Sequence, residues 1–285
     1  MLILSNNLWN CDKNTPAWAE KGEDCSADAR VDGLVKAYTS VLPDVLGFQE
    51  MSRYMEKLIM ERMKYLTPAD GSAVRYEMVT GGFTPILFRY DKLRLLESGH
   101  AVYPTAFPPF AGCFNDVDSK GYTFAVLEER ATGKRVIVFS THLWWQSGNP
   151  EKAHYQAGSD QARAYQILLA SKKADELIAR YDCPAILMGD FNAALGSACL
   201  NAILGEGWLE THGLCTGERD DTNGYHYCFG DGWRHDPPLP YEKAIDHLLI
   251  KHPGKTEITR FCRFCEPFFD RLSDHYPVYA EMKLS

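Results

Sequence analysis

Four short islands carry residue types that can do chemistry together: Phe48-Gln49-Glu50, Gly189-Asp190-Phe191-Asn192, Ala244-Ile245-Asp246-His247 and Leu272-Ser273-Asp274-His275. Each sets an acid, with an amide or an imidazole nearby, where a strand-like apolar run gives out. If Glu50, Asp190, Asp246 and Asp274 share one pocket, each close pair repels by about 1–4 kcal/mol at 4 Å, and a hard divalent cation removes that repulsion. Oxygen ligands without a cysteine partner suit Mg²⁺ or Mn²⁺ better than Zn²⁺. Taken singly, each acid reads more readily as a solvated turn residue, and only the four together point to a shared site. Asp190 and Asn192 are two apart, so on an extended segment they face the same side. One could take a proton from water while the other holds that water or a phosphoryl oxygen. His275 could donate to a phosphoryl oxygen, with Asp246 favouring its charged form, and His142 in Ser140-Thr141-His142-Leu143 could hold a second oxygen.

These residues need strands and helices to carry them. Leu2–Leu8 reads as a first strand. Apolar residues at Val31, Leu34, Val35, Tyr38 and Val41 have helical spacing within Ala29–Val41, and Leu42-Pro43-Asp44 stops that helix before a short buried strand, Val45–Phe48. Ser52 can cap a second helix running to about Tyr65. Strands are expected over Tyr76–Val79, Ile86–Tyr90, Leu93–Val102, Tyr122–Glu129, Val136–His142, Ala185–Met188, Ile245–Ile250, Glu257–Phe264 and Tyr276–Met282. The longest helix is expected over Ser159–Tyr181 and a short one over Ser197–Leu204. Asp12–Asp28, Tyr103–Ser119 and Gly217–Tyr241 read as irregular. Several strands follow one another without a helix between them, a pattern of mixed sheets and not of a doubly wound parallel sheet.

The chain has 285 residues, 45% of them hydrophobic and 24% charged, with no Pro/Gly/Ser linker or composition break, so one domain over 1–285 is expected. The formal net charge of −8, without a run of three basic residues, argues against a long nucleic acid as substrate, because nonspecific affinity for one comes from Lys and Arg on phosphates. Nine cysteines without framework spacing, and no leader-like segment ahead of Leu2-Ile3-Leu4, point to reduced thiols and a cytoplasmic setting. No stretch of about 18 apolar residues occurs, so no membrane span is expected. No protein partner is legible.

In chain order, Ser5-Asn6-Asn7-Leu8, Pro43-Asp44-Val45-Leu46-Gly47-Phe48-Gln49-Glu50, Ser140-Thr141-His142-Leu143, Gly189-Asp190-Phe191-Asn192, Ile245-Asp246-His247 and Ser273-Asp274-His275 together resemble the endonuclease/exonuclease/phosphatase superfamily over nearly the whole chain. The resemblance implies a four-layer α/β/β/α sandwich, two mixed sheets face to face with helices outside, and a divalent metal at the sheet edge. It implies Glu50 as the main metal ligand, with Asn7 and Asp274 supporting the metal or its waters. Asp190 would activate the attacking water and Asn192 orient it or the phosphate. His275, paired with Asp246, would stabilise charge on the phosphoryl group, and His142 would assist. The chain departs from the pattern in offering two amides, Asn6 and Asn7, where one is usual, and in Lys243-Ala244, where many members have Gly-Arg.

Three further positions are candidates for substrate contact. Trp144 and Trp145 follow His142, and alternation lets only one of them easily face a site; Trp144 is the one assigned to substrate. Arg163, near the start of the long helix, resembles an Arg of phosphatase-like members, though a surface salt bridge explains it equally. Tyr225-His226 resembles a Thr/Tyr-Phe-His stretch before the final Asp, which makes His226 a candidate. Cys262-Arg263-Phe264-Cys265 lacks a second ligand pair and reads as ordinary thiols. The expected activity is hydrolysis of a small or headgroup-like phosphate mono- or diester by a Mg²⁺- or Mn²⁺-dependent enzyme. A nuclease of the AP-endonuclease type and a non-catalytic binding protein on the same fold are the rivals.

Overall fold

A computed structural model describes residues 1–67, 71–222 and 237–284. Two mixed sheets face one another. One has eight strands, in the order Glu218–Arg219, Glu257–Arg263, Val278–Lys283, Leu2–Asn7, Val45–Gln49, Ile86–Arg89, Val74–Val79 and Tyr65–Leu66. The other has six: Leu209–Glu210, Asp246–Lys251, Ala185–Asp190, Arg135–His142, Gly121–Glu129 and Leu93–Val102.

Alternation within the central strands explains the layering. Ile3, Val45, Phe88, Val138, Ile186, Met188, Leu248, Phe261 and Val278 point between the sheets and form a dry middle core. Leu4, Leu46, Phe48 and Leu87 point the other way, onto the helices Ala27–Val41 and Arg53–Met63. Phe139, Leu187 and Leu249 point outward from the second sheet, onto Ser159–Tyr181 and Ala198–Gly205. Burying each such side chain stabilises the fold by about 1.5–3 kcal/mol. The result is the expected α/β/β/α sandwich of mixed sheets.

Helix starts follow the side-chain chemistry. Ser26, Ser52 and Ser197 each accept a hydrogen bond from the backbone N–H three residues on, an N-cap contributing about 1 kcal/mol. The long helix runs over Ser159–Tyr181 as expected. The N-terminal irregular stretch contains one short helical turn, Pro16–Ala19, with Trp18 buried beneath it. Among the described residues, no helix is long and apolar enough to cross a membrane.

A Cβ on Gly47 would lie 2.6 Å from Met188 Cε in the opposite sheet, so a larger residue there would require the Met188 side chain to shift.

Candidate active site

Strand register lines up three of the acid and imidazole positions. His142 pairs with Asp190 on a parallel neighbour, and Asp190 pairs with Asp246 on an antiparallel one. Gly189 precedes this row with φ 149°, and a Cβ there would sit 1.9 Å from the Thr141 carbonyl oxygen. The facing sheet contributes Asn7 and Glu50 from adjacent parallel strands that pair Asn7 with Gln49. Asp274 and His275 lie just before Val278–Lys283, and Asp246 opens its own strand. Two of the four islands therefore precede their strands. They still reach the same edge, because those strands run antiparallel to Leu2–Asn7 and Ala185–Asp190.

Asp190 is the hub. Its Oδ2 accepts from Asn7 Nδ2 at 3.0 Å and lies 3.5 Å from His142 Nε2 and 3.8 Å from His275 Nε2. Its Oδ1 accepts from the Asn192 backbone N–H at 2.8 Å. That bond closes a turn with Asn192 at φ 49°, so the segment is not extended as the two-residue spacing suggested. The turn instead aims Asn192 Nδ2 at His142 Nε2, 3.2 Å away, and at the Leu143 carbonyl, 3.1 Å away. Glu50, also at positive φ (57°), accepts from Asn7 Nδ2 at 3.3 Å and from the Asn10 backbone N–H at 2.9 Å. Asn6 is turned inward, accepting from Tyr38 Oη at 2.8 Å and donating to the backbone carbonyls of Asn7 at 2.8 Å and His275 at 3.3 Å, so it braces the site's backbone.

Burial pushes the Asp190 carboxyl up, to about 6, against the opposing pull of His275; Asp246 adds to the rise. Asp274 is pushed up by burial to about 7, with Glu50 and Asp190 adding like charge. Burial opposes a charge on His275, but Asp246, Asp274 and Asp190 together outweigh it and hold the imidazole well above its usual range. His275 Nδ1 lies 2.7 Å from Asp246 Oδ2, the geometry of an imidazolium donating to a carboxylate. His142 is the opposite case. Burial, then Lys120, then His275 hold it well below the usual range, so the ring is neutral although two carboxylates stand 3.5 and 3.8 Å away.

Asp190, Asp246 and His275 offer ligand atoms within 4.8 Å of one another, but the His275–Asp246 bond already occupies two of them. Glu50, Asp190 and Asp274 are hard oxygen donors; burial pushes the Asp190 and Asp274 carboxyls up, and like charge adds to the rise. This donor set fits Mg²⁺ or Mn²⁺. Asn7 differs from expectation: its Oδ1 accepts from the Trp9 backbone N–H at 2.9 Å, which turns its nitrogen toward the carboxylates. Here it bridges Glu50 and Asp190 as a donor.

Two candidates for substrate contact face elsewhere. Trp144 is buried, its Nε1 donating to Gln156 Oε1 at 2.7 Å and its ring packed edge-on against Phe114. Trp145 is 40% exposed and takes the place beside the site. Arg163 is turned inward, donating to the Trp144 carbonyl at 3.0 Å and the Gln146 carbonyl at 2.6 Å and pairing with Asp160, so it braces the loop that carries Trp145. His226 lies outside the described residues.

Lys120 escaped the sequence reading. It is buried, with Nζ 2.7 Å from Nε2 and 3.2 Å from Nδ1 of His142. Burial holds its ammonium below the usual range, while Glu50 and Asp190 favour the charge. A pocket of about 370 Å³ opens beside it, lined by Glu50, Phe83, Asp116, Val117, Lys120 and Trp145 among others. A larger concavity of about 790 Å³ lies between Lys36, Arg260, Cys262 and Phe268 and touches none of the site residues.

The profile of the Endonuclease/Exonuclease/phosphatase family matches residues 8–275. No curated protein matches the chain. Among solved structures, an endonuclease/exonuclease/phosphatase from Bacteroides vulgatus superposes with a TM-score of 0.71 at 20% identity, covering 100% of this chain and 98% of that one. A mannosyl-6-phosphatase from Bacteroides thetaiotaomicron gives 0.71 at 20% identity with 100% of both chains covered. D. rerio TDP2 complexed with a single-strand DNA product gives 0.64 at 17% identity, covering 99% of this chain and 98% of that one. At such identities the structures speak to the fold, whereas the profile spans all but the chain's ends; the chain belongs to the Endonuclease/Exonuclease/phosphatase family.

Proposed function

We propose that the protein is a Mg²⁺- or Mn²⁺-dependent phosphoesterase that uses water to cleave a small phosphate ester. The observation that carries this reading is the convergence on Asp190 of Asn7, Asn192, His142 and the His275–Asp246 pair. Asp190 takes a proton from the attacking water; a carboxyl raised by burial is a better base than an exposed one. The Asn192 backbone N–H and Asn7 Nδ2 hold the carboxylate in place while it does so. The His275 imidazolium, fixed through Nδ1 by Asp246, presents Nε2 to the charge that grows on the phosphoryl oxygens. Neutral His142 accepts from Lys120 and so aims the ammonium toward the same space. Glu50 and Asp274 would hold the divalent cation, leaving Asp190, with Asn7 Nδ2 on its carboxylate, as the base. When bound, the cation supplies Lewis-acid stabilisation of phosphoryl charge.

A small ester is favoured over a polynucleotide by the pocket itself. At about 370 Å³ it falls at the low end for small-molecule sites, and Lys120 is its one cationic side chain among the described residues. The mannosyl-6-phosphatase relative supports a monoester, and the TDP2 complex keeps a nuclease as the reading to exclude.

The deciding assay sets p-nitrophenyl phosphate against bis(p-nitrophenyl) phosphate with Mg²⁺, alongside Asp190→Asn. Turnover of either ester that disappears in the variant supports catalysis at this site. Turnover that survives in Asp190→Asn, or needs no divalent cation, contradicts it.

A further inference from the structure

We propose that the pocket beside Glu50 and Lys120 is a subsite for the alcohol half of the ester, and that it selects a single neutral polyhydroxylated ring carrying one phosphate, a sugar monophosphate in chemical class. The inference rests on the phosphoesterase reading and adds the substrate to it.

The pocket has two chemically distinct ends. At the inner end, the Lys120 ammonium and the Glu50 carboxylate border the catalytic cluster, where a phosphoryl group belongs. Phe83 also lines the pocket, and the solvent-exposed side chains that make the outer end include Asp116 and the 40%-exposed indole of Trp145. Trp145 Nε1 points to Asp116 Oδ2 at 3.4 Å, a long contact that ties the carboxylate to the edge of the indole. The carboxylate is solvent-exposed and keeps acceptor capacity beyond that contact.

An ionised carboxylate accepts hydrogen bonds and donates none, so it favours paired hydroxyls and rejects a second phosphate. An aromatic wall binds the C–H face of a saturated ring as well as a planar one, so the wall alone does not choose. The charge does. A nucleotide chain brings a phosphate at every residue, and the outer end answers it with Asp116. A sugar ring brings hydroxyls, which Asp116 can take pairwise while Trp145 covers the ring face. The pocket's small volume, about 370 Å³, suits a single ring with its phosphate.

The test compares kcat/KM for a hexose 6-phosphate, adenosine 3′,5′-bisphosphate and p-nitrophenyl phosphate, by phosphate release with Mg²⁺, in wild type, Asp116→Ala and Trp145→Phe. Both replaced side chains are exposed, and circular dichroism confirms that the variants fold. The hexose ester is expected to exceed the nucleotide by tenfold or more. Its ratio to p-nitrophenyl phosphate is expected to fall about tenfold in Asp116→Ala, the loss of a hydrogen bond to a charged group. In Trp145→Phe, which keeps an aromatic wall but drops the indole N–H, the ratio is expected to stay within about threefold. A nucleotide preferred to the hexose, or a ratio unmoved by Asp116→Ala, overturns the subsite while leaving the hydrolase intact. If no ester is turned over, the hydrolase reading fails and the subsite falls with it.

Discussion

Asp190 sits among two imidazoles, two amides and a second acid, and replacing it by Asn keeps its shape while removing its basicity. Asp190→Asn is expected to lower kcat by about 10²–10⁴ with the fold retained, as seen by circular dichroism. Lys120 offers a second test. Its charge is one of the causes that hold His142 low, so Lys120→Met should move the His142 titration upward, toward the ordinary imidazole range, as followed by NMR. An unmoved titration would mean that burial and His275 set it without Lys120. Lys120 was hidden in the sequence for a physical reason. It lies in an irregular stretch, and only the register that pairs Gly121 with His142 brings it to the imidazole. Trp144 and Trp145 show a similar limit: alternation says that one faces the site, but which one depends on how Arg163 and Gln166 hold the loop backbone.

The strands that carry the acids were readable because each is an apolar run with an abrupt polar end, and their bounds moved by only a residue or two. The two-residue strands Tyr65–Leu66, Leu209–Glu210 and Glu218–Arg219 were not, since two residues have no period. One of them matters to the site. Glu210 pairs with buried His247 at 3.4 Å and accepts from Tyr241 Oη, tying the edge strand to the turn Tyr241–Lys243 just ahead of Asp246. Burial works against a charge on His247, but Glu210 outweighs it and leaves the imidazole raised. A raised histidine stabilises the fold fully below its unfolded value of about 6.5 and loses that contribution as pH rises through its folded value. Glu210→Ala should therefore cost about 3 kcal/mol in urea unfolding at pH 6, with a smaller loss at higher pH. A penalty independent of pH would mean that the pair is not ionised.

Both sheets supply acids to the site, which therefore spans the two halves of the sandwich. Asp190 and Asp274 are raised, so the folded chain binds more protons than the unfolded one from about pH 4 up to their folded values near 6 and 7, and these acids lose stabilising effect as pH rises through that window. Metal held by Asp274 must displace its proton. Mg²⁺ is therefore expected to raise Tm more at pH 8 than at pH 5.5, with about 2.7 kcal/mol gained at 100-fold over Kd. An equal shift at both pH values would place the cation away from Asp274. With a formal charge of −8 and a pocket holding one described cation, ester cleavage should change little between 50 and 200 mM salt, whereas a polynucleotide reaction would weaken steeply.

The row His142, Asp190, Asp246 across three neighbouring strands also bears on how this chain could acquire new substrates. Strand pairing moves in whole residues, and a shift of one sends every side chain to the opposite face. Single-residue insertions or deletions in these strands should therefore abolish activity outright, with no graded intermediates. Residues 103–119 and 143–158 are under no such rule, and they carry Asp116 and Trp145. In a library that varies length at random, survivors should change length almost only in those loops, leaving the reaction fixed while the choice of ester drifts.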